Sequence, residues 1–268
     1  MKVVVLMGSP RKKDGFKVCE KIKECLINRG GDCLEFEYIM LSKLHIEECR
    51  GCEQCIIKGE QYCPIKDDLQ QVVEKLIGAD GVILVSPVYA CQVSATFKKV
   101  IDRLSYLFHR PELIGKPTIT VLTTAGGGIK ATKSYLKLVA DGWACHLIGQ
   151  LSVVSTRYFE GRWGCMANDI KYKQKIDGQI DRLAMQLGVS IQERVEGKKV
   201  KPNLYDVFMF NALKSKTYTS KADYIYWEEK GWLSQSYYYE TKLPLGSKLI
   251  GKLMNEMVKN MAQRMGME

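Results

Sequence analysis

Histidine is scarce in this chain of 268 residues: there are three, His45, His109 and His146, and they form no metal-ligand spacing. No apolar run approaches about 18 residues, so the sequence offers nothing that would cross a membrane. The amino terminus enters a strand directly, without a basic leader, an apolar stretch and a cleavage site, and the expectation is a cytoplasmic protein. Neither GxGxxG nor a Walker loop is present, which argues against a dinucleotide-wrapping domain and an NTPase. Nothing repeats, and no segment is of low complexity. The net charge of +10 comes from lysines and arginines scattered through helical patterns rather than gathered into one block. That scatter reads as a solvated basic surface and not as a nucleic-acid face, while leaving room for a phosphate-bearing cofactor or an acidic partner.

What is present is a strong alternation of strands and helices. Lys2 to Met7 is a short apolar run suited to a strand buried on both faces. Gly8-Ser9-Pro10-Arg11-Lys12-Lys13-Asp14-Gly15 follows, and a helical pattern then runs from Gly15 to Arg29, stopped by Gly30-Gly31. A strand, a small basic loop and a helix start together make an anion site, through free backbone N–H groups and the helix dipole. Further strands are expected at Asp32–Tyr38, Gly81–Ser86, Lys116–Thr123 and His146–Val154. Helices are expected at Leu69–Gly78, with Asp67-Asp68 as its cap, and at Ala95–Phe108, 130–142 and about 169–194. Five such units give an α/β fold, a doubly wound parallel sheet. Its ligands sit outside the carboxyl ends of the strands, at the point where strand order reverses. The unusual loops follow the first, third and fourth strands, so all of them open on that edge.

Three stretches carry a family resemblance: GSPR after the first strand, SPVYACQVSATFKKVIDR after the third and TTAGGG after the fourth. Together they resemble the flavodoxin-like NAD(P)H-dependent FMN reductases, and CRGCEQCIIKGEQYCPIKDD, from Cys49 to Asp68, is similar to the cysteine loop of the iron–sulfur flavoproteins among them. The resemblance covers about residues 1–195, taken as a flavodoxin-like FMN-binding domain with a five-stranded parallel sheet. It implies that Ser9, Arg11, Lys12, Lys13, Gly15 and Phe16 hold the FMN phosphate. It places Pro87, Val88, Tyr89 and Ala90 along the flavin ring, and Thr124, Ala125, Gly126 and Gly127 around its other side. Where relatives carry a Gly-Asn-Thr run, this chain has Asp14-Gly15-Phe16. The threonine hydroxyl is therefore absent and Asp14 adds a like charge, leaving Arg11, Lys12 or Lys13 to compensate.

The implied activity is hydride transfer from NAD(P)H to FMN, then electron delivery to an acceptor such as a quinone, a flavin or a redox protein. Because the flavin supplies the redox chemistry, no side chain needs to be a general acid or nucleophile, and no catalytic residue is assigned; Tyr89 is the nearest candidate. Members of the group are commonly homodimers or homotetramers. Neither nucleic acid nor membrane is expected as a partner. Two rival readings are a flavodoxin-type electron carrier, against which the basic charge counts, and a binding module that senses redox state through its thiols.

Cys49, Cys52, Cys55 and Cys63 follow the spacing C-x2-C-x2-C-x7-C within fifteen residues, and Pro64 comes next. Thiolates so spaced resemble a bacterial ferredoxin ligand set with a longer last gap, suited to a [4Fe–4S] cluster. Structural zinc and a metal-free packing loop are the alternatives. Cys19, Cys25, Cys33, Cys145 and Cys165 read as small buried hydrophobes, as does Cys91 by default, although it is the one placed to meet substrate. Residues 196–268 depart from the pattern. A polar stretch, Lys198–Tyr205, resembles a linker, aromatic clusters follow at 224–227, 231–233 and 237–239, and a helix is expected near 247–264. This segment is read as an aromatic-rich, mainly helical extension, its aromatics either covering the cofactor or a partner or, more simply, anchoring the appendage.

Overall fold

The computed structural model describes residues 1–28, 34–159 and 169–264. Five strands, β1 (Lys2–Met7), β2 (Glu35–Met40), β3 (Gly81–Pro87), β4 (Pro117–Thr124) and β5 (His146–Val154), pair in parallel in the order β2-β1-β3-β4-β5. This is the flavodoxin-like order, whose switch point falls between β1 and β3. Alternation along β1 divides the core. Val4 and Leu6 pack with one set of helices, α3 (Leu69–Gly78), α4 (Ala95–Arg103) and α5 (Ile129–Gly142). Val3, Val5 and Met7 pack with α1 (Asp14–Ile27) and α7 (Asp169–Val195). With no alternate residue facing water from Val3 to Met7, β1 is apolar beyond its first residue, and each such buried side chain stabilises the fold by about 1.5–3 kcal/mol.

Some boundaries differ from the expectation. β2 runs on to Met40; Asp32 and Cys33, like the Gly30-Gly31 stop and Cys165, lie outside the described residues. The helix expected over Ala95–Phe108 ends at Arg103, and Ser105–Phe108 forms a tighter 3-10 turn. Leu104 leaves the helical region (φ −94°, ψ 20°), which lets both Leu104 and Leu107 stay in the core while the chain changes direction. Two short helices, α2 (Gln54–Ile57) and α6 (Ser155–Tyr158), interrupt the long loops.

The C-terminal extension is helical, with α8 (Leu204–Lys214), α9 (Lys221–Glu229) and α10 (Ser247–Arg264). Asn203 begins α8 with a reciprocal capping box shared with Asp206, and Ser220 caps α9. Phe210, Leu213, Trp227, Trp232 and Tyr238 form a separate aromatic core, against which Ile114 and Ala144 of the sheet domain also pack. The aromatics thus anchor the extension, and several stack edge-on, as Phe210 does on Tyr238. Among the described residues no helix is long and apolar enough to cross a membrane.

Candidate functional site

The loops after β1, β3 and β4 come together at the switch point, and most of what joins them is main chain. Gly8 N–H donates to Val85 O at 2.8 Å, tying the first loop to β3. Ser94 both caps α4, through Phe97 N–H at 3.3 Å, and donates its hydroxyl to Gly8 O at 2.6 Å. Gly8 has to be glycine here, because a Cβ would lie 2.8 Å from Phe97 Cβ and 3.0 Å from Ser94 Oγ. Ser9 Oγ is turned back on its own loop, accepting from Arg11 N–H at 3.2 Å and donating to Arg11 O at 2.9 Å. Arg11, Lys12 and Lys13 are exposed around the start of α1, which no side chain caps at Lys13. Lys12 lies 5.1 Å over the Phe16 ring, and Gly15 is buried in the first helical turn. Asp14 opens the helix, where the dipole favours a carboxylate but an incoming anion would meet a like charge.

The second loop closes in a tight turn from Tyr89 to Gln92, with both main-chain bonds between the two residues at 2.9 Å. Its central residues, Ala90 (φ 47°) and Cys91 (φ 61°), sit in the left-handed region, which costs a residue bearing a Cβ about 1–2 kcal/mol. Pro87 belongs to the buried end of β3, Val88 N–H bonds to Thr123 O at 2.8 Å, and Tyr89 stands 47% exposed. The third loop lies against this turn. A Cβ on Gly128 (φ +82°) would meet Cys91 Cα at 2.7 Å and Val88 Cγ1 at 2.8 Å. Thr124 Oγ1 donates to Gly127 O at 3.0 Å and accepts from Gly126 N–H at 3.1 Å, while Ala125 O receives the Thr156 hydroxyl at 3.4 Å. No atom within 4 Å would obstruct a Cβ at Gly126 or Gly127, so open space borders this loop.

The cysteine loop leaves the same edge after β2 and is closed quite differently. Its two ends are joined by His45 N–H to Asp68 (2.7 Å), Asp68 N–H to His45 O (3.0 Å) and Glu47 N–H to Asp67 (2.9 Å). Asp68 therefore spends its carboxylate on the base of the loop and not on capping α3; it is Asp67 that receives Leu69 N–H, at 3.0 Å. Two arginines hold the interior. Arg103, at the end of α4, reaches Asp67 (2.7 Å), Glu47 O (3.1 Å), Ile65 O (3.4 Å) and Cys63 Sγ (3.9 Å). Arg110 reaches Cys55 O, Glu60 (3.1 Å) and Asp223 of α9. Burial would raise the Asp67 carboxyl, but Arg103 and the Glu47 and Leu69 N–H groups outweigh it and hold the group below its ordinary value.

Cys49 and Cys52 are exposed, while Cys55 and Cys63 are half-buried and line one cavity of about 750 Å³ with Arg103 and Tyr106. Burial first, and then the Cys63 and Cys49 thiols, push the Cys55 thiol up from its ordinary value, against the pull of Arg110. Cys63 and Cys49 are thus each within electrostatic reach of Cys55. Among the described residues, however, no three His, Cys, Asp or Glu side chains are placed as ligands of one ion. Sequence reasoning missed Ser94, Arg110 and Asp223, and expected of Arg103 that it packs or pairs on its helix, without naming Asp67 as the partner. Arg103 had left a signal: it falls three residues after Val100, on the apolar face of its helix. Asp223, 113 residues from its partner Arg110, had left none.

Residues 1–160 match the sequence profile of the family described as NADPH-dependent FMN reductase. An iron-sulfur flavoprotein of Archaeoglobus fulgidus is 32% identical over 241 residues, covering 87% of this chain and 100% of that protein. The chain belongs to the NADPH-dependent FMN reductase family, in its iron-sulfur flavoprotein branch. Membership makes it an FMN-dependent oxidoreductase. Other relatives in this branch include an iron-sulfur flavoprotein of Clostridioides difficile, 29% identical over 217 residues, with 80% of this chain and 88% of that protein covered. Among solved structures, a flavone reductase superposes with a TM-score of 0.54 at 15% identity, covering 75% of this chain and 66% of the other. An oxidoreductase from Corynebacterium diphtheriae gives 0.52 at 16% identity, covering 72% and 97%. These two share the fold of this FMN reductase family member.

Proposed function

We propose that this protein binds FMN at the edge formed by the three loops, oxidises NADPH or NADH there, and passes the electrons to a quinone, a second flavin or a redox protein, with Cys49, Cys52, Cys55 and Cys63 as ligands of a [4Fe–4S] cluster. The observation that carries this reading is the convergence of the three loops at the sheet's switch point, beside a loop holding four thiols in fifteen residues. When bound, FMN supplies hydride chemistry and the cluster supplies single-electron transfer. The residues of the chain bind and orient. Ser9, Gly15 and Phe16 present the uncapped start of α1 to a phosphate, and Arg11, Lys12 and Lys13 bring the positive charge that Asp14 partly offsets. Pro87, Val88, Tyr89 and Ala90 border one side of the ring. Thr124, Ala125, Gly126 and Gly127 border the other, where the open space beside the glycines gives room for approach.

The donor set suits iron–sulfur chemistry, since four thiols are soft ligands, and Cys55 and Cys63 already line one cavity. Ligation would draw the exposed Cys52 and Cys49 toward Cys55 and Cys63. A homodimer or homotetramer is the expected assembly.

Iron, acid-labile sulfide and FMN measured on protein purified without oxygen, with the visible spectrum taken before and after NADPH or NADH, test the reading. About four iron and four sulfide per FMN, and a flavin bleached by nicotinamide, are expected. Iron-free protein whose flavin still bleaches would be a plain flavin reductase, and a flavin that neither nucleotide bleaches would belong to an electron carrier.

A further inference from the structure

The C-terminal extension touches the sheet domain at an informative place. Asp223, in the first turn of α9, is fully buried and receives Arg110, itself 3% exposed, on one carboxylate oxygen. His109 Nδ1 stands 2.7 Å from the other oxygen. The same guanidinium donates to Cys55 O and to Glu60, so one side chain binds α9 to two points inside the cysteine loop. Beside it, Ser220 Oγ donates to Ile56 O at 2.9 Å, a second link from α9 to the short helix that carries Cys55. Trp227 Nε1 and Tyr226 Oη bond to His109 O and Pro111 O, at 2.8 and 2.7 Å, and fix the segment from which Arg110 projects.

We infer that the extension is a clasp for the cysteine loop, with Asp223 as a positioning residue that holds Arg110 on Cys55 O and Glu60 and so sets where the Cys55 and Cys63 thiols stand. The inference rests on the proposed role of the four cysteines as cluster ligands. Its physical basis is independent of any metal. A buried arginine keeps its fork on a carbonyl only while its charge is compensated, and Glu60, the other carboxylate it touches, is 42% exposed. Removing the Asp223 charge leaves a buried guanidinium that must turn toward water, releasing the carbonyl of a ligand residue.

The full-length Asp223→Asn protein tests this with two readouts, iron and sulfide per FMN and, on protein stripped of iron, the rate at which iodoacetamide alkylates each cysteine. Cys19, wholly buried on α1, reports general unfolding. The expected result is a loss of more than half the iron, with alkylation of Cys55 and Cys63 faster by about tenfold or more and Cys19 unchanged. Arg110→Lys, which keeps the charge and loses the fork, should give the same selective exposure if Asp223→Asn does not fold. Unchanged iron and unchanged Cys55 alkylation in a folded variant would overturn the clasp, as would exposure of Cys19 in step with Cys55. Wild-type protein that holds FMN without iron would instead overturn the cluster reading, and the Cys55-to-Cys19 alkylation ratio would still decide the clasp.

Discussion

The proposed flavin loops and the cysteine loop leave one edge of one sheet, yet they are built from different materials. The flavin loops are joined by main-chain bonds, serine and threonine hydroxyls and glycines that permit close approach: Gly8 to Val85, Ser94 to Gly8, Gly128 against Cys91. Their charged side chains face water. The cysteine loop has little regular structure and is held from within by two buried guanidiniums, each spanning carbonyls and carboxylates far apart in sequence. The contrast follows from what each region must do. A loop of thiols that would hold a cluster needs a fixed shape without a sheet to supply it, whereas the flavin loops inherit their shape from the ends of β1, β3 and β4. Charge substitutes for secondary structure in one region, and backbone geometry suffices in the other.

Substitutions should separate the two. The largest effect is expected from Arg103→Ala, which abandons Asp67 with its side chain 1% exposed. Losing one partner of a buried pair typically costs about 3–5 kcal/mol. Urea unfolding should register that loss, with cysteine reactivity rising well before FMN is released. Simultaneous loss of both cofactors would mean that the two regions are one cooperative unit. On the flavin side, Gly128→Ala forces a Cβ toward Cys91 Cα at a positive φ, for a cost of about 1–3 kcal/mol. FMN titration should show binding weakened by about tenfold, with the iron content of purified protein unaltered.

Acid should discriminate more gently. The Asp67 carboxyl is held below its ordinary value in the folded chain, so its stabilising contribution is complete above that ordinary value and is lost as pH falls through the depressed one. Hydrogen exchange at the Glu47 and Leu69 amides, both bonded to Asp67, should therefore lose protection as pH falls below the ordinary aspartate value of about 4, relative to amides of β1 and β3. Equal protection of loop and sheet across that range would remove Asp67 from the account. The smallest effect is expected at the strained turn. Ala90→Gly should raise stability by up to about 1 kcal/mol, since glycine adopts φ 47° freely, although added flexibility in the unfolded chain offsets part of the gain. A lower melting temperature would show that the left-handed pair at Ala90 and Cys91 is not strained.

Most of the fold was legible because it is periodic: KVVVLM can only be a strand covered on both faces, and the spacing of its successors fixes a doubly wound sheet. The loops after β1, β3 and β4 were legible as loops because glycine, serine and proline punctuate them at strand ends. The closure of the cysteine loop was not, because its bonds join residues 20 to 113 positions apart with no local pattern to connect them. Asp67-Asp68 misled in part for a related reason: Asp67 does receive Leu69 N–H at the start of α3, but Asp68 does not cap. An acidic pair before a helix reads locally as a cap, but a carboxylate takes the strongest donors within reach, and here those include Arg103 and the amides of His45 and Glu47. The aromatic clusters of the extension announced burial without announcing against what; Ile114 and Ala144 supplied the answer.

The contact between Arg110 and Asp223 also sets an order in time. The two residues are 113 positions apart, and at roughly 5–20 residues per second a ribosome needs about 6–23 seconds to add the second after the first. When that interval begins, β1, β2, β3 and all four thiols have already been made, and β4 and β5 follow within it, while the acid that completes the Arg110 bridge comes last. A nascent chain therefore carries an open cysteine loop until α9 emerges, and in that interval its thiols are exposed both to iron delivery and to oxidation.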